Sequence, residues 1–305
     1  MVNPFNLALL TSLGYELDRT PAAFGSLKSS APIVHQPDTL RRRMQADGYL
    51  YLPGLLDAEA VWQARQEICD RLAAEGCLDP NFPRIAAVAR AELKMHFRPD
   101  LVPFSPRLHT LLYTGTLMAF YQQFLGGTVL HFDYTWLRAV APGFGTHPHC
   151  DIVYMGRGTP NLYTTWTPLG DVSMAMGGLM ILEKSHHLHS IRNSYGQKDV
   201  DSYCLNRKTA SLYRSGQKSW NGALSSNPVS LRQRYGGRWL TNEFKAGDVL
   251  VFGMYTIHAS LDNHSNQIRL SSDSRYQLHS EPVDRRWVGL TPGGHGLESR
   301  QGRIC

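Results

Sequence analysis

The sequence predicts an α+β protein in which helices brace a double-sheet core. Three observations carry this expectation. Helical periodicity is confined to the first part of the chain, up to residue 125. Beyond it, short segments rich in β-branched and aromatic residues alternate with Gly/Pro turns. With 305 residues, 42% of them hydrophobic, the chain has enough apolar material for one large core. Helices first and strands afterwards suit a sandwich or barrel with helices packed on it. One domain over residues 1–305 is expected, without internal repeat or clean linker.

The elements follow in order. Residues 1–38 are rich in Pro, Ser and Ala and read as an extended or partly ordered arm. Their opening, MVNPFNLALLTSLGYEL, has an apolar patch but no basic leader, which is poor signal-peptide chemistry and points to the cytoplasm. Pro37-Asp38-Thr39 offers cap residues for a short helix through Asp47. Residues 48–54 read as a strand closed by a turn. Asp57 then caps an amphipathic helix with Val61, Ala64, Ile68, Leu72 and Ala73 on its apolar stripe, ending near Gly76. A second helical pattern covers 104–125 and stops at Gly126-Gly127. Strands are expected at 128–140, 162–167, 178–182, 238–244, 248–252 and 268–277. Residues 190–237 lack periodicity and interleave Arg and Lys with Tyr and Trp. They form an insert that is either a lid over the active site or a solvated excursion.

Bulk properties exclude several classes. The net charge is +6, and Leu40–Met44 is the only tight basic cluster. No basic stripe with stacking aromatics is present, so no nucleic-acid partner is expected; a small anionic substrate accounts for the charge more simply. No apolar run reaches the roughly 20 residues of a membrane span. Five scattered cysteines without CxxC suggest neither a disulfide framework nor a zinc knuckle. A monomer or homodimer is expected.

The chemistry centres on His149-Cys150-Asp151. On a strand, residues 149 and 151 project to one side and reach one ion, while Cys150 faces the other way into packing. His258, just past the turn and buried strand of residues 247–253, is placed to supply a third ligand. Two histidines and a carboxylate on one face of Fe(II) leave three positions open. Arg269 adds a fixed cation able to grip a carboxylate with two parallel hydrogen bonds. Rivals remain open on these residues alone. His131-Phe132-Asp133 has the same spacing, His147 shares the face of His149, and His186 and His187 follow a core strand. His149 and Asp151 could equally be a surface pair. Arg275 and Asp273 read as a structural ion pair.

The order and spacing of several segments resemble the phytanoyl-CoA dioxygenase family of Fe(II)/2-oxoglutarate oxygenases. These are Pro142-Gly143 before His149-Cys150-Asp151, Trp166-Thr167-Pro168-Leu169, and residues 177–182 leading into Ser185-His186. The run 247–252 before His258, Ser260 and Arg269 completes the set. Residues 47–54 resemble that family's opening strand. The resemblance implies a double-stranded β-helix, the cupin-like jelly roll, with His149, Asp151 and His258 as iron ligands. It implies that Arg269 and Ser260 bind the distal carboxylate of 2-oxoglutarate, that Trp166 lines the co-substrate pocket with Thr164 on the same strand face, and that Lys94 contributes from an earlier segment. Cys150 stands where many relatives carry glutamine, which removes one polar contact. Asp151 argues against halogenation, because related halogenases lack the carboxylate. The implied reaction consumes dioxygen and 2-oxoglutarate, releases succinate and carbon dioxide, and hydroxylates an unactivated C–H bond. For an anionic substrate, Arg138 and Arg157 are the candidate contacts. The alternatives are a cupin-like metal-dependent isomerase or lyase working without oxygen, and a non-catalytic metal-binding protein.

Overall fold

The computed structural model describes residues 10–305. The first nine residues, part of the opening read above as poor signal-peptide chemistry, lie outside the described residues. Two sheets face each other. The larger runs in the order Tyr49–Leu52, Val249–Gly253, Tyr163–Pro168, Arg269–Leu278, with Val129–His131 and Trp136–Val140 sharing the far edge of the last strand; every pairing is antiparallel. The smaller runs His258–Ser260, Leu179–Leu182, Trp239–Thr241, Phe24–Ser26. From residue 163 onward the chain crosses from the larger sheet to the smaller, forms the pair Leu179–Leu182 and Trp239–Thr241 there, and then alternates large, small, large through residue 278, which is the winding of a double-stranded β-helix.

Period-two alternation fixes what each strand buries. Leu250, Phe252, Trp166, Tyr49 and Tyr51 point between the sheets, with Leu179, Ile181 and Leu240 opposite them. Val249, Val251, Leu50, Leu52 and Leu270 point outward, onto the helices Ala58–Ala74, Pro106–Tyr113 and Gly115–Leu125. The run 249–252 is apolar throughout because both of its faces are covered. Local signals set the helix ends. Asp57 accepts a hydrogen bond from the Glu59 amide, Ser105 accepts from Leu108, and Gly48 (φ +80°) turns the chain from helix into strand.

Four expectations change. The helical pattern over 104–125 is two helices, broken where Thr114 is extended and Gly115 takes φ +57°. The helix Pro37–Asp47 begins after Gln36, without a side-chain cap from residues 37–39. The arm is docked: Phe24–Ser26 pairs in parallel with Trp239–Thr241, and Leu10, Leu17 and Phe24 are buried. Buried Asp262 holds it by accepting from Thr11 Oγ1 (2.6 Å) and from the amides of Leu13 and Gly14 (2.8 Å each). Finally, Cys204 and Cys305 form a disulfide, carried by a parallel pairing of Ser202–Cys204 with Gln301–Arg303. Their separation of 101 residues leaves no local spacing by which sequence could reveal the pair. Cys69, Cys77 and Cys150 are free. No helix among the described residues is long and apolar enough to cross a membrane.

Candidate metal centre

Strand closure builds the centre. His149 and His258 lie opposite each other in an isolated antiparallel bridge and exchange both backbone hydrogen bonds, each 3.0 Å. This sets the segment of His149 against the free edge of the smaller sheet. Asp151 is not on a strand, as its spacing suggested. It sits at φ −66°, ψ −22°, at the head of the short helical turn Ile152–Met155. The turn bends its carboxylate back between the two rings. His149 Nε2 and His258 Nε2 lie 3.7 and 3.6 Å from Asp151 Oδ1, and one ligand atom from each residue falls within a common 4.8 Å. All three residues are buried.

Their surroundings select the protonation states. His149 Nδ1 is 2.7 Å from the His147 carbonyl, and His258 Nδ1 is 3.0 Å from that of Thr256. A carbonyl only accepts, so each Nδ1 carries the proton and each Nε2 offers its lone pair inward. Burial holds both imidazoles below their ordinary range, and a proton on either ring would further oppose one on its neighbour, so both are neutral. Burial alone would raise Asp151. Arg275 above all, with the hydrogen bond from Thr164, outweighs it and holds the carboxyl well below the usual carboxylate range. Arg275 Nη2 donates to Asp151 Oδ2 at 3.0 Å, and Thr164 Oγ1 donates to the same oxygen at 2.5 Å. Two neutral imidazoles and one ionised carboxylate suit a divalent cation with open positions.

The inner end of the centre suits a carboxylate co-substrate. Arg269 is fully buried; burial, then the neighbouring Arg138, bring its guanidinium down to about 10. One arm donates to Ser271 Oγ (3.0 Å), while Nε has no partner. Ser260 Oγ accepts from the Thr146 amide at 2.8 Å, which leaves its own hydroxyl proton free to donate. Trp166 Nε1 is also buried and unpartnered. Arg269, Ser260, Trp166, His149 and His258 line one small cavity. Unpaired buried donors in native structures ask for a missing acceptor, and a dicarboxylate supplies it.

Other expected contacts land elsewhere. Thr164 touches the ligand carboxylate instead of lining the co-substrate cavity. Lys94 is exposed in a separate groove with Pro142 and Phe144, because the chain turns the neighbouring His96 inward instead. Arg157 is spent on Asp199 (2.6 Å), away from the centre. Arg275 does not pair with Asp273: strand alternation puts both on the inner face, where Arg275 goes to Asp151 and Asp273 takes Arg138 Nε at 2.8 Å. Arg138 does face inward and lines both the inner cavity and the wider one in front of it. The rivals are also placed. His131 stacks on Tyr113 (4.3 Å), His186 hydrogen-bonds the Gln45 carbonyl, and Cys150 packs its thiol toward the Tyr255 carbonyl.

The wider cavity holds about 450 Å³, within the range of ligand sites. Sequence reasoning missed His96, Tyr154 and His295 among its walls, while the insert, read above as a lid or a solvated excursion, contributes Asn221 and Ala223. A lone histidine or tyrosine carries no local signal. Only the insert's aromatic content hinted at its role: buried Tyr195 donates to the Gly222 carbonyl and accepts from the Cys150 amide (3.2 Å), which pins the insert to the metal segment.

Comparison with known proteins agrees with this geometry. The sequence profile of a family described as phytanoyl-CoA dioxygenase matches residues 44–271. A 1-deoxypentalenic acid 11-beta-hydroxylase of Streptomyces exfoliatus is 28% identical over 280 residues, spanning 86% of this chain and 87% of that protein. Among solved structures, the epimerase SnoN in complex with Fe3+, alpha ketoglutarate and nogalamycin RO superposes with a TM-score of 0.52 at 19% identity, over 84% and 87% of the two chains. EctD from S. alaskensis with bound Fe superposes at 0.54 and 17%, over 97% and 99%. At these identities the two structures establish the shared fold.

Proposed function

The chain belongs to the phytanoyl-CoA dioxygenase family and is an Fe(II)- and 2-oxoglutarate-dependent oxygenase; on that premise we propose that it hydroxylates an unactivated C–H bond of a small carboxylic acid. The observation that carries the site assignment is the convergence of His149, Asp151 and His258 beside a buried arginine with an unpartnered nitrogen. In this reading the three residues would hold the iron, Arg269 would grip the distal carboxylate of 2-oxoglutarate, and the Ser260 hydroxyl would donate to it. Iron, 2-oxoglutarate and dioxygen supply the oxidising chemistry, with succinate and carbon dioxide as co-products.

The chain's own residues orient and insulate. Asp151 keeps its charge through Arg275 and Thr164, so it presents a fixed anion to the metal across the working pH range. Trp166 and Leu179 wall the inner cavity against water. Arg138, half engaged by Asp273, keeps guanidinium N–H groups toward the wider cavity and is the proposed contact for the substrate carboxylate. The name of the Streptomyces exfoliatus relative, which is that of a carboxylic acid hydroxylase, favours the same class. Arg157 is not part of this proposal. The tip of the insert, from Trp220 to Leu224, acts as the lid edge. A cytoplasmic monomer or homodimer without a nucleic-acid partner completes the reading.

An anaerobic visible spectrum tests the site. A charge-transfer band that needs both Fe(II) and 2-oxoglutarate, and that weakens in Asp151→Ala and Arg269→Ala, is expected. Iron that binds normally without such a band would remove the assignment. A panel including 1-deoxypentalenic acid and its neutral ester tests the substrate class through 2-oxoglutarate consumption. Stimulation by neutral or cationic compounds alone would refute the acid.

A further inference from the structure

One wall of the wider cavity is built with more care than packing requires. His295 lines the cavity together with His149 and Asp151. Its Nδ1 is 2.8 Å from Asp201 Oδ2, and Asp201 is only 4% exposed. Arg286 Nη1 donates to that same oxygen at 2.5 Å. Arg286 is itself fixed by Asp284 (2.6 Å) and by the Tyr154 carbonyl (2.8 Å). Trp287 packs edge-on against the His295 ring at 4.7 Å, and Tyr154 at 5.9 Å. Tyr154 in turn meets the His149 ring at 5.5 Å.

A carboxylate accepts and does not donate, so Asp201 fixes the proton of neutral His295 on Nδ1. The two ring nitrogens point in nearly opposite directions. With Nδ1 turned into the buried ion-pair cluster, Nε2 is turned outward with a lone pair and no hydrogen-bond partner among the described residues. A partly exposed histidine held by a buried carboxylate, itself held by a buried arginine, is a preorganised acceptor. The metal face has no use for it, because three ligands are already present.

We propose that His295 is a specificity-determining residue that accepts a hydrogen bond from a hydroxyl on the substrate, and that Asp201 is the residue that positions it. This rests on the carboxylic acid reading above and extends it: the substrate is a hydroxy acid, held by its carboxylate at Arg138 and by its hydroxyl at His295. The two groups line one cavity together with His149 and Asp151. A site that hydrogen-bonds a substrate hydroxyl discriminates against the analogue lacking it, because that analogue displaces water from the exposed His295 nitrogen without replacing the hydrogen bond.

The test uses two compact acids, adamantanecarboxylic acid and its analogue with one bridgehead hydroxyl, titrated into the Fe(II)–2-oxoglutarate protein under anaerobic conditions. The readout is the shift of the charge-transfer band, which needs no turnover. The hydroxy acid is expected to bind roughly fivefold more tightly, the ratio one neutral hydrogen bond gives. His295→Phe should abolish that ratio and Asp201→Asn should shrink it, in proteins that still form the band. Equal binding of both acids by the wild-type protein, or a preference that survives in His295→Phe, would overturn the assignment. Equal weakening of both acids in His295→Phe would also overturn it, since that marks packing or charge. A band that forms but responds to neither acid would sink the carboxylic acid reading itself, and this inference with it.

Discussion

Asp151 sits in a buried electrostatic arrangement that divides its two oxygens. Its Oδ1 faces both histidines and its Oδ2 takes Arg275 and Thr164, so one oxygen is left for a metal while the other is anchored. Arg275 also lies over the Trp136 ring at 4.0 Å. Removing it strands a buried carboxylate, at a cost of about 3–5 kcal/mol. Arg275→Met should therefore destabilise the metal-free protein by that order in urea melts, and a divalent ion should restore part of the loss. Unchanged melts would show that Arg275 is dispensable. A pH effect follows from the buried imidazoles. Burial first, then Arg138 and Arg269, push His96 down to about 4, and burial also lowers His186. Both folded values lie below the unfolded value near 6.5, so the native state binds fewer protons than the unfolded chain. Stability is then fully present above pH 6.5 and is lost as pH falls toward 4. The melting temperature of the metal-free protein should drop across that window, and His96→Gln should flatten the slope. At this scale the residues alone left His149, Asp151 and His258 with rivals, and it was the family resemblance in order and spacing that pointed to them and to Arg269, which the structure brings together. His96, Arg275 and His295 were not legible, since each acquires its role from a partner that only the closed sheets supply.

At the scale of elements, the informative comparison is between strands and irregular segments. Strand 249–253 was readable because burial of both faces writes a continuous apolar run into the sequence, whereas 269–278 alternates only in part, with Ser272 and Ser274 between Leu270 and Tyr276 on its outward face. The N-terminal arm was misread because isolated apolar residues in a polar stretch (Leu10, Leu17, Phe24) give no periodicity, yet each finds a cavity on the smaller sheet. The insert is held in the same way, by single anchors. Tyr195 bridges the Gly222 carbonyl and the Cys150 amide, with Trp220 against its ring at 5.6 Å. Tyr195→Phe should cost about 1–3 kcal/mol through the unpaired buried groups and should speed amide exchange across residues 220–224. Asp262→Ala, which frees three donors of the arm, should expose residues 10–17 to limited proteolysis without altering iron binding.

For the whole molecule, the long-range tie between Cys204 and Cys305 closes a loop of about a hundred residues around the insert and the last third of the sheets. In the chain-entropy picture such a link contributes at most about 5 kcal/mol. Cys204→Ser, or a thiol reductant, should lower the melting temperature and raise exchange at residues 301–303, with less effect on the metal centre. A link of this kind is uncommon in a reducing compartment, so thiol trapping before lysis tests the cytoplasmic reading: trapped free Cys204 and Cys305 agree with it, and an intact bond argues against it.

The reciprocal hydrogen bonds between His149 and His258 have a thermodynamic consequence. The two proposed ligands are themselves a rung joining segments far apart in the chain, so the site exists only when that rung is closed. An ion bound there favours the closed chain over the open one by mass action, in proportion to the logarithm of its concentration relative to its dissociation constant. Iron is thus a folding ligand for this protein as well as a reagent. A cell short of the metal would lose native protein, and not only turnover.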